Sequence, residues 1–222
     1  FCTEMGVPAD RPLIMYVGSA LFRGSPPEVD FAMRWIDRVR TSADPRLRSA
    51  SILIRPHPQR LDEWRTVDVT TLTDVAVKSA NPVTEHARAD YFDALFYSAA
   101  VVGLNTSAFL EAGIVGRPVL AILPSEYHDN QEGTLHFRYL TEVSGGLVRV
   151  SRALEEHEAQ LRAVIAEEPD TTASRRFVET FLRPHGLDVA ATPRFADAVE
   201  ALGGLRVPGP GRVPSLLGRG VL

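Results

Sequence analysis

The stretch that decides the fold runs from Ala99 to Leu123 and reads AAVVGLNTSAFLEAGIVGRPVLAIL. Its two ends are continuously apolar, and between them lie a polar turn, a segment of helical character and a glycine. Continuously apolar strands are typical of parallel sheets that are covered by helices on both faces. The stretch therefore predicts a strand–helix–strand unit of an α/β domain.

Apolar segments of the same kind occur elsewhere in the chain. They predict strands at Leu13–Val17, Ser51–Ile54, Val75–Val77, around Val101 and at Val119–Leu123, with a short further strand at Leu147–Val150. Helices are predicted at 26–39, 89–99, 134–143, 152–167, 174–182 and 193–202, and a further helix opens at Asn105–Ser107 and stops at Gly116. Strands that alternate with helices form a parallel sheet through right-handed crossovers. We therefore predict an α/β fold with a Rossmann-like parallel sheet flanked by helices and extra C-terminal helices.

Composition narrows the class of protein. The chain has 222 residues, of which 45% are hydrophobic and 23% charged, so it can bury a core. The net charge of −4 and the lack of a Lys/Arg run argue against nucleic acid as a partner. The single cysteine, Cys2, excludes an internal disulfide. No apolar run reaches the roughly 18 residues of a transmembrane segment, so we expect a cytoplasmic protein, free or peripheral at the inner membrane face.

The chain divides into three segments by composition. Residues 1–10 are interpreted as the end of an interdomain linker or helix, because the chain opens with Phe1 and not with methionine. Residues 11–202 carry the predicted sheet and helices. Residues 203–222 are rich in Gly and Pro and lack periodicity, which predicts an irregular tail.

Polar residues follow four of the predicted strands at the point where each strand ends. Parallel strands end at one edge of the sheet, and ligands bind outside that edge. We therefore expect one binding site to combine the four segments, which are Gly18–Ser19, Arg55–Pro58, Asn105–Ser107 and Pro124–Gly133.

Asn105, Thr106 and Ser107 open a helix, where backbone N–H groups and two hydroxyls can bind phosphate. The alternative is ordinary helix capping, for which one such residue is enough. Glu111 lies one turn later on the same helix face, where it can accept hydrogen bonds from ribose hydroxyls. Its alternative role is a favourable negative charge near the helix start.

The segment Arg55-Pro56-His57-Pro58 is the second candidate for phosphate binding. Each proline keeps the residue before it extended, so Arg55 and His57 are presented on a stiff loop. Arginine binds phosphate through its planar fork, and histidine can donate a hydrogen bond or exchange a proton near neutral pH. The alternative is a turn that carries a surface histidine.

The loop after the fifth strand contains Gln131 and Glu132, whose planar polar groups can bind neighbouring sugar hydroxyls. A solvated turn is the alternative. His128 and His136 lie nearby without the spacing of metal ligands, so we predict no metal site.

Five motifs follow one another along the chain: Gly-Ser, Arg-Pro-His-Pro, Tyr-Phe-Asp-Ala-Leu, Asn-Thr-Ser-Ala-Phe-Leu-Glu-Ala and Gly-Arg-Pro-Val. In this order they resemble the C-terminal, donor-binding domain of GT-B fold glycosyltransferases of the kind that build bacterial surface polysaccharides. The resemblance covers residues 11–150. It implies a nucleotide-sugar donor as substrate, no separate cofactor and no metal. It also implies a glycan or lipid-linked acceptor, bound by an N-terminal domain that this chain lacks.

The resemblance also implies a role for each candidate residue. His57 would contact the donor diphosphate and stabilise the leaving nucleotide, Glu111 would bind the ribose, and Gln131 and Glu132 would face the sugar. Phosphate would be bound by Gly18, Ser19, Arg55, His57, Asn105, Thr106 and Ser107. Three alternatives on the same scaffold stay open: a UDP-sugar 2-epimerase, a polyol-phosphate transferase with a CDP-glycerol donor, and a non-catalytic nucleotide-sugar-binding module.

Overall fold

The computed structural model describes residues 1–79, 81–166 and 170–205. Within them, six parallel strands form one sheet in the order β3-β2-β1-β4-β5-β6. The strands are β1 (Leu13–Val17), β2 (Ser51–Arg55), β3 (Val75–Val77), β4 (Ala100–Gly103), β5 (Val119–Ile122) and β6 (Val148–Ser151). The helices are α1 (Cys2–Met5), α2 (Glu28–Arg40), α3 (Pro45–Arg48), α4 (Leu61–Trp64), α5 (Glu85–Phe96), α6 (Ala108–Ile114), α7 (Leu135–Glu142), α8 (Leu154–Ala166), α9 (Thr172–Phe177) and α10 (Ala191–Gly203).

The four central strands are buried along their whole length, as their apolar sequences predict. Their side chains alternate between two hydrophobic clusters, one on each face of the sheet. Trp35 of α2 is fully buried in one cluster and Phe109 of α6 in the other. The predicted α/β fold with a parallel sheet covered by helices is confirmed.

β6 extends the sheet by one strand beyond the five that the sequence places in its core. It pairs in parallel with β5, with Val119 opposite Val148 and Ile122 opposite Ser151. β6 is less apolar than the central strands because it lies at the edge of the sheet, where Arg149 is exposed.

The observed boundaries of two helices have local causes. α5 begins four residues earlier than predicted because the Thr84 hydroxyl accepts a hydrogen bond of 3.2 Å from the Ala87 N–H and caps the helix. α6 ends just before Gly116, whose φ of 71° is the left-handed conformation that glycine adopts without strain.

The described residues form two compact units, one within residues 1–184 and one that begins at His185. The first contains the whole sheet, and Met5 and Val7 from its first ten residues are buried in one of the hydrophobic clusters. The second contains α10. Most of the predicted tail at 203–222 lies outside the described residues. Among the helices that are described, none combines the length and the hydropathy that crossing a bilayer requires.

The strand order reverses at β1, which has β2 on one side and β4 on the other. At such a point the connections leave in opposite directions and a crevice opens at the carboxyl ends of the strands. The turns after β1, β2 and β4 border this crevice.

Candidate functional site

A cleft with a volume of about 200 Å³ lies where β1, β2 and β4 end, and we call it the edge cleft. Six of the predicted site residues line it: Gly18, Arg55, His57, Thr106, Ser107 and Glu111. Asn81, Pro82 and Tyr91, which were not predicted as site residues, also line it. The cleft therefore combines three of the four polar segments that the sequence places at this edge.

Gly18 lies where the turn after β1 touches the His57 loop. Its N–H donates a hydrogen bond of 2.8 Å to the Arg55 carbonyl. A Cβ atom at Gly18 would lie 2.5 Å from the backbone nitrogen of His57, a contact too short for any other residue without a shift of the loop. The glycine thus lets the two turns pack directly against each other.

His57 is extended, as the proline that follows it predicts, and its Nδ1 accepts a hydrogen bond of 3.3 Å from the Gln59 N–H. The neutral ring therefore carries its proton on Nε2, which is a donor. Burial, together with the nearby positive charge of Arg60, lowers the pKa of His57 below its usual value. At neutral pH the ring is therefore an uncharged hydrogen-bond donor at the wall of the cleft.

Arg55 ends β2 and is 7% exposed, with its guanidinium 5.0 Å from the centre of the Tyr91 ring. Burial lowers its pKa, but arginine stays charged at any physiological pH. Tyr91 in turn donates a hydrogen bond of 2.5 Å from its hydroxyl to Glu111 Oε2. Burial and the Glu111 carboxylate raise the pKa of Tyr91, so the phenol keeps its proton.

Tyr91 was predicted only as part of the helix at 89–99 and of the Tyr-Phe-Asp-Ala-Leu motif, with no role in the site. The tyrosine belongs to α5 and its two partners belong to β2 and α6. The pattern within α5 carries no signal of this contact, because only the strand order brings the three elements together.

The alternative role of Thr106 and Ser107 was helix capping, and their side chains contribute little to it. Ser107 occupies the N-cap position of α6 but makes no capping bond with its side chain to a described residue. The Thr106 hydroxyl accepts a long hydrogen bond of 3.4 Å from the Ala108 N–H. Because α6 has only seven residues, we regard Arg55, and not the helix dipole, as the main positive charge of the cleft.

Ser19 and Asn105 were predicted to bind phosphate, but the structure places them behind the cleft. Ser19 is fully buried, and both its N–H and its hydroxyl donate to the Glu28 carboxylate. The Asn105 N–H donates to the Ser19 hydroxyl, and its side-chain amide donates to the Asn130 carbonyl at 2.6 Å. In this arrangement the two residues stabilise the turns that carry Gly18 and Thr106.

Gln131 and Glu132 were predicted to face the sugar, but neither lines the edge cleft. Gln131 is 1% exposed, and its amide donates to the carbonyls of Leu104 and Ile122. These carbonyls lie at the ends of two strands, where a buried acceptor needs a donor. Glu132 forms a two-pronged ion pair with Arg152, at 2.6 and 3.1 Å, which lowers the pKa of the carboxyl.

No group of three His, Cys, Asp or Glu side chains in residues 1–79, 81–166 and 170–205 is arranged to hold a metal ion. The predicted metal-free chemistry remains a prediction.

Comparison with known proteins supports the fold. No protein-family model and no curated protein sequence matches the chain. A variant of the wall teichoic acid polymerase TagF is similar in structure, with a TM-score of 0.53, 13% identity, and coverage of 90% of this chain and 46% of that one. TarM gives a TM-score of 0.48, 11% identity, and coverage of 90% and 37%. A putative UDP-N-acetylglucosamine 2-epimerase from Listeria monocytogenes gives a TM-score of 0.49 and 14% identity, with coverage of 88% of this chain and 46% of that one.

The chain therefore spans less than half the length of each of these solved structures. At such low identity the match to TagF is evidence for a shared fold and for nothing more specific. The resemblance to the Rossmann-like half of a GT-B glycosyltransferase, which the order of motifs predicts, is confirmed at the level of fold.

Proposed function

We propose that the edge cleft binds the diphosphate and ribose of a nucleotide-activated sugar, and that the chain is the donor-binding part of a glycosyltransferase of cell-surface polysaccharide synthesis. One observation carries this proposal. Arg55, His57, Thr106 and Ser107 line one cleft, at the point where the strand order reverses. These are groups that bind phosphate, gathered where α/β sheets bind ligands.

The reaction needs negative charge on the leaving nucleotide to be stabilised as the glycosidic bond breaks. A buried guanidinium and a neutral imidazole N–H are suited to this, because donors that are already in place lower the barrier without reorganisation. We propose that the charged guanidinium of Arg55 binds the diphosphate. The Nε2–H of His57 donates a hydrogen bond to a phosphate oxygen next to the breaking bond. His57 is the proposed catalytic residue.

Glu111 is the proposed ribose ligand. Its carboxylate can accept hydrogen bonds from two neighbouring hydroxyls, and one of its oxygens already accepts from Tyr91. Tyr91 also lies under the guanidinium of Arg55. The phenol thus links the group proposed to bind phosphate to the group proposed to bind ribose.

The volume of the cleft fits a part of such a donor. At about 200 Å³ it is smaller than the roughly 300–1,000 Å³ of ordinary ligand pockets. We therefore propose that it holds the diphosphate and ribose, while base and sugar extend onto other surfaces. The glycan or lipid-linked acceptor would bind on a second domain, as the resemblance to GT-B enzymes implies.

A polyol-phosphate transferase is the second candidate, because the protein that matches with a TM-score of 0.53 is a wall teichoic acid polymerase. Both candidates release a nucleotide, so the edge cleft serves either reaction. They differ in the group that is transferred.

The test is a thermal-shift titration of the chain with CDP, UDP, GDP and CMP. A ligand at 100 times its Kd stabilises the native state by about 2.7 kcal/mol. We expect at least one diphosphate to raise the Tm and CMP to raise it less than CDP, because CMP offers one phosphate fewer. A folded chain whose Tm none of the nucleotides changes would refute the proposal. Mass analysis of products formed from nucleotide-sugars and from CDP-glycerol separates the two candidates.

A further inference from the structure

Behind the edge cleft lies a buried carboxyl group that the proposed chemistry does not use. Glu28 is the first residue of α2 and is 4% exposed. Its carboxylate accepts three hydrogen bonds: from the Ser19 N–H at 2.7 Å, the Ser19 hydroxyl at 3.2 Å and the Tyr16 hydroxyl at 3.0 Å. Since all three partners donate, the ionised form of Glu28 is the one that this arrangement satisfies.

The hydrogen bonds continue from Glu28 to the turn after β4. The Ser19 hydroxyl gives its one proton to Glu28, so it can accept from the Asn105 N–H, which lies at 3.2 Å. Ser19 follows Gly18, and Asn105 precedes Thr106, and both of these neighbours line the cleft. One carboxylate is therefore connected to the turns on two sides of the cleft.

The backbone around Glu28 is connected to a third side of the cleft. The Glu28 N–H donates to Glu63 at 2.8 Å, and Glu63 forms an ion pair of 2.5 Å with Arg60. Arg60 lies in the helical turn that begins at His57, and it also donates to the Pro26 carbonyl. The start of α2 is thus bonded to three of the turns that line the edge cleft, those after β1, β2 and β4.

Burial raises the pKa of Glu28 to about 7, while the hydrogen bonds from Ser19 and Tyr16 and the charge of Arg60 lower it. The titratable and charged groups that face this carboxyl are Tyr16 from β1, Arg60 from the turn after β2, Glu63 from α4 and Tyr127 from the loop after β5.

We propose that Glu28 is a positioning residue, whose carboxylate holds the turns after β1 and β4 in the arrangement that forms the edge cleft. The identity of the ligand in this inference rests on the proposed function, whereas the arrangement of the turns does not. A merely structural role would lower the stability of the whole sheet and would not act on these turns selectively.

The test compares Glu28→Gln with Asp30→Asn, which removes an exposed carboxyl from the same helical turn. Amide hydrogen exchange is measured by NMR on the ligand-free chain, one pH unit above the pKa of Glu28. We expect Glu28→Gln to lower the protection of the Ser19 and Asn105 amides about tenfold, since hydrogen bonds to a charged group are lost. The β1 and β4 amides should change less than twofold, roughly the scatter of a surface substitution.

A second variant keeps the inference testable if Glu28→Gln does not fold. Ser19→Ala removes the hydroxyl that joins Glu28 to Asn105 but keeps the backbone bond to Glu28. It should lower the protection of the Asn105 amide and leave that of residue 19 unchanged. Equal protection at Asn105 in Ser19→Ala and the parent chain would overturn the inference, as would a loss in Glu28→Gln that is uniform along the sheet.

Titration with CDP separates this inference from the proposed function. We expect Glu28→Gln to weaken CDP binding about tenfold and Asp30→Asn to leave it unchanged. If the parent chain binds no CDP or other nucleotide, the proposed function fails and the exchange data alone decide the role of Glu28. If CDP binds equally to the parent chain and to Glu28→Gln, the positioning role is wrong while the proposed function stands.

Discussion

The two halves of the sheet's carboxyl edge carry similar polar residues but arrange them differently. In the half formed by β1, β2 and β4, Arg55, His57 and Glu111 line the edge cleft. In the half formed by β5 and β6, Gln131 donates to two strand-end carbonyls and Glu132 pairs with Arg152. We call these the cleft half and the paired half.

The comparison shows that polar residues at a sheet edge do not by themselves mark a binding site. Strand-end carbonyls and loop carboxylates also need partners, and nearby side chains can supply them. In the paired half, ion pairs and amide–carbonyl bonds meet this need. In the cleft half, the guanidinium of Arg55 is buried beside a crevice and lies against the Tyr91 ring. Because Arg55, His57, Thr106 and Ser107 line a cleft only in this half, we place the proposed anionic ligand there.

The largest expected effect comes from removing one arginine from each half. Arg55→Met should weaken binding of a nucleoside diphosphate about 10- to 100-fold, because a hydrogen bond to a charged group contributes about 1.5–3 kcal/mol. Arg152→Met, the matched change in the paired half, should alter the affinity less than about twofold, within the range of a surface substitution. Isothermal titration calorimetry measures both. A larger loss in Arg152→Met would mean that the halves have been assigned the wrong way round.

A pair of glycines gives the next contrast. A Cβ at Gly18 would lie 2.5 Å from the His57 nitrogen, and a Cβ at Gly133 would lie 2.8 Å from the Asp129 carbonyl oxygen. Each Gly→Ala change should therefore destabilise the chain by about 1–3 kcal/mol, a typical cost of overpacking, as measured by urea unfolding. Only Gly18→Ala should also weaken nucleotide binding, since it displaces the His57 loop. Equal affinities for the two variants would contradict this.

Much of the fold was predictable from the sequence because strands buried on both faces must be apolar throughout. The segments Leu13–Val17 and Ala99–Leu123 show this, and their strand assignments are confirmed. A strand at Leu147–Val150 was also predicted and is confirmed as β6, although this edge strand carries an exposed charged residue. Its membership of the sheet follows from pairing with β5, which local sequence does not encode.

The site residues were predictable only where a residue's position just after a strand determines where its side chain lies. Arg55 and His57 follow a strand end on a stiff loop, and the structure places both at the cleft. Gln131 follows a strand end too, but a long loop lets its side chain turn back to the carbonyls of Leu104 and Ile122. Tyr91 and Glu28 could not have been predicted, because their partners come from elements that are distant in sequence.

Glu111 and Glu132 provide a contrast between carboxylates of the two halves. Glu111→Gln should weaken binding of a ribonucleoside diphosphate several-fold, because neutral hydrogen bonds are about half as strong as those to a charged group. The same change should have little effect on a 2′,3′-dideoxy analogue, which has no ribose hydroxyls to bind. Glu132→Gln should leave the affinity for both ligands unchanged. If Glu111→Gln weakens binding of the two ligands equally, Glu111 does not bind ribose.

The smallest expected effect is the contribution of the Glu132–Arg152 pair to stability. Arg152 lowers the pKa of Glu132 below its ordinary value of 4.5, so the folded protein binds this proton less readily than the unfolded chain. The stabilisation is therefore present above pH 4.5 and is lost as the pH falls through the lowered pKa. Because the pair is exposed and screened by salt, we expect Glu132→Gln to shift the urea midpoint slightly at pH 7 and low salt, and not at all in acid. A clear shift of the midpoint at high salt would show that the paired half depends on more than this ion pair.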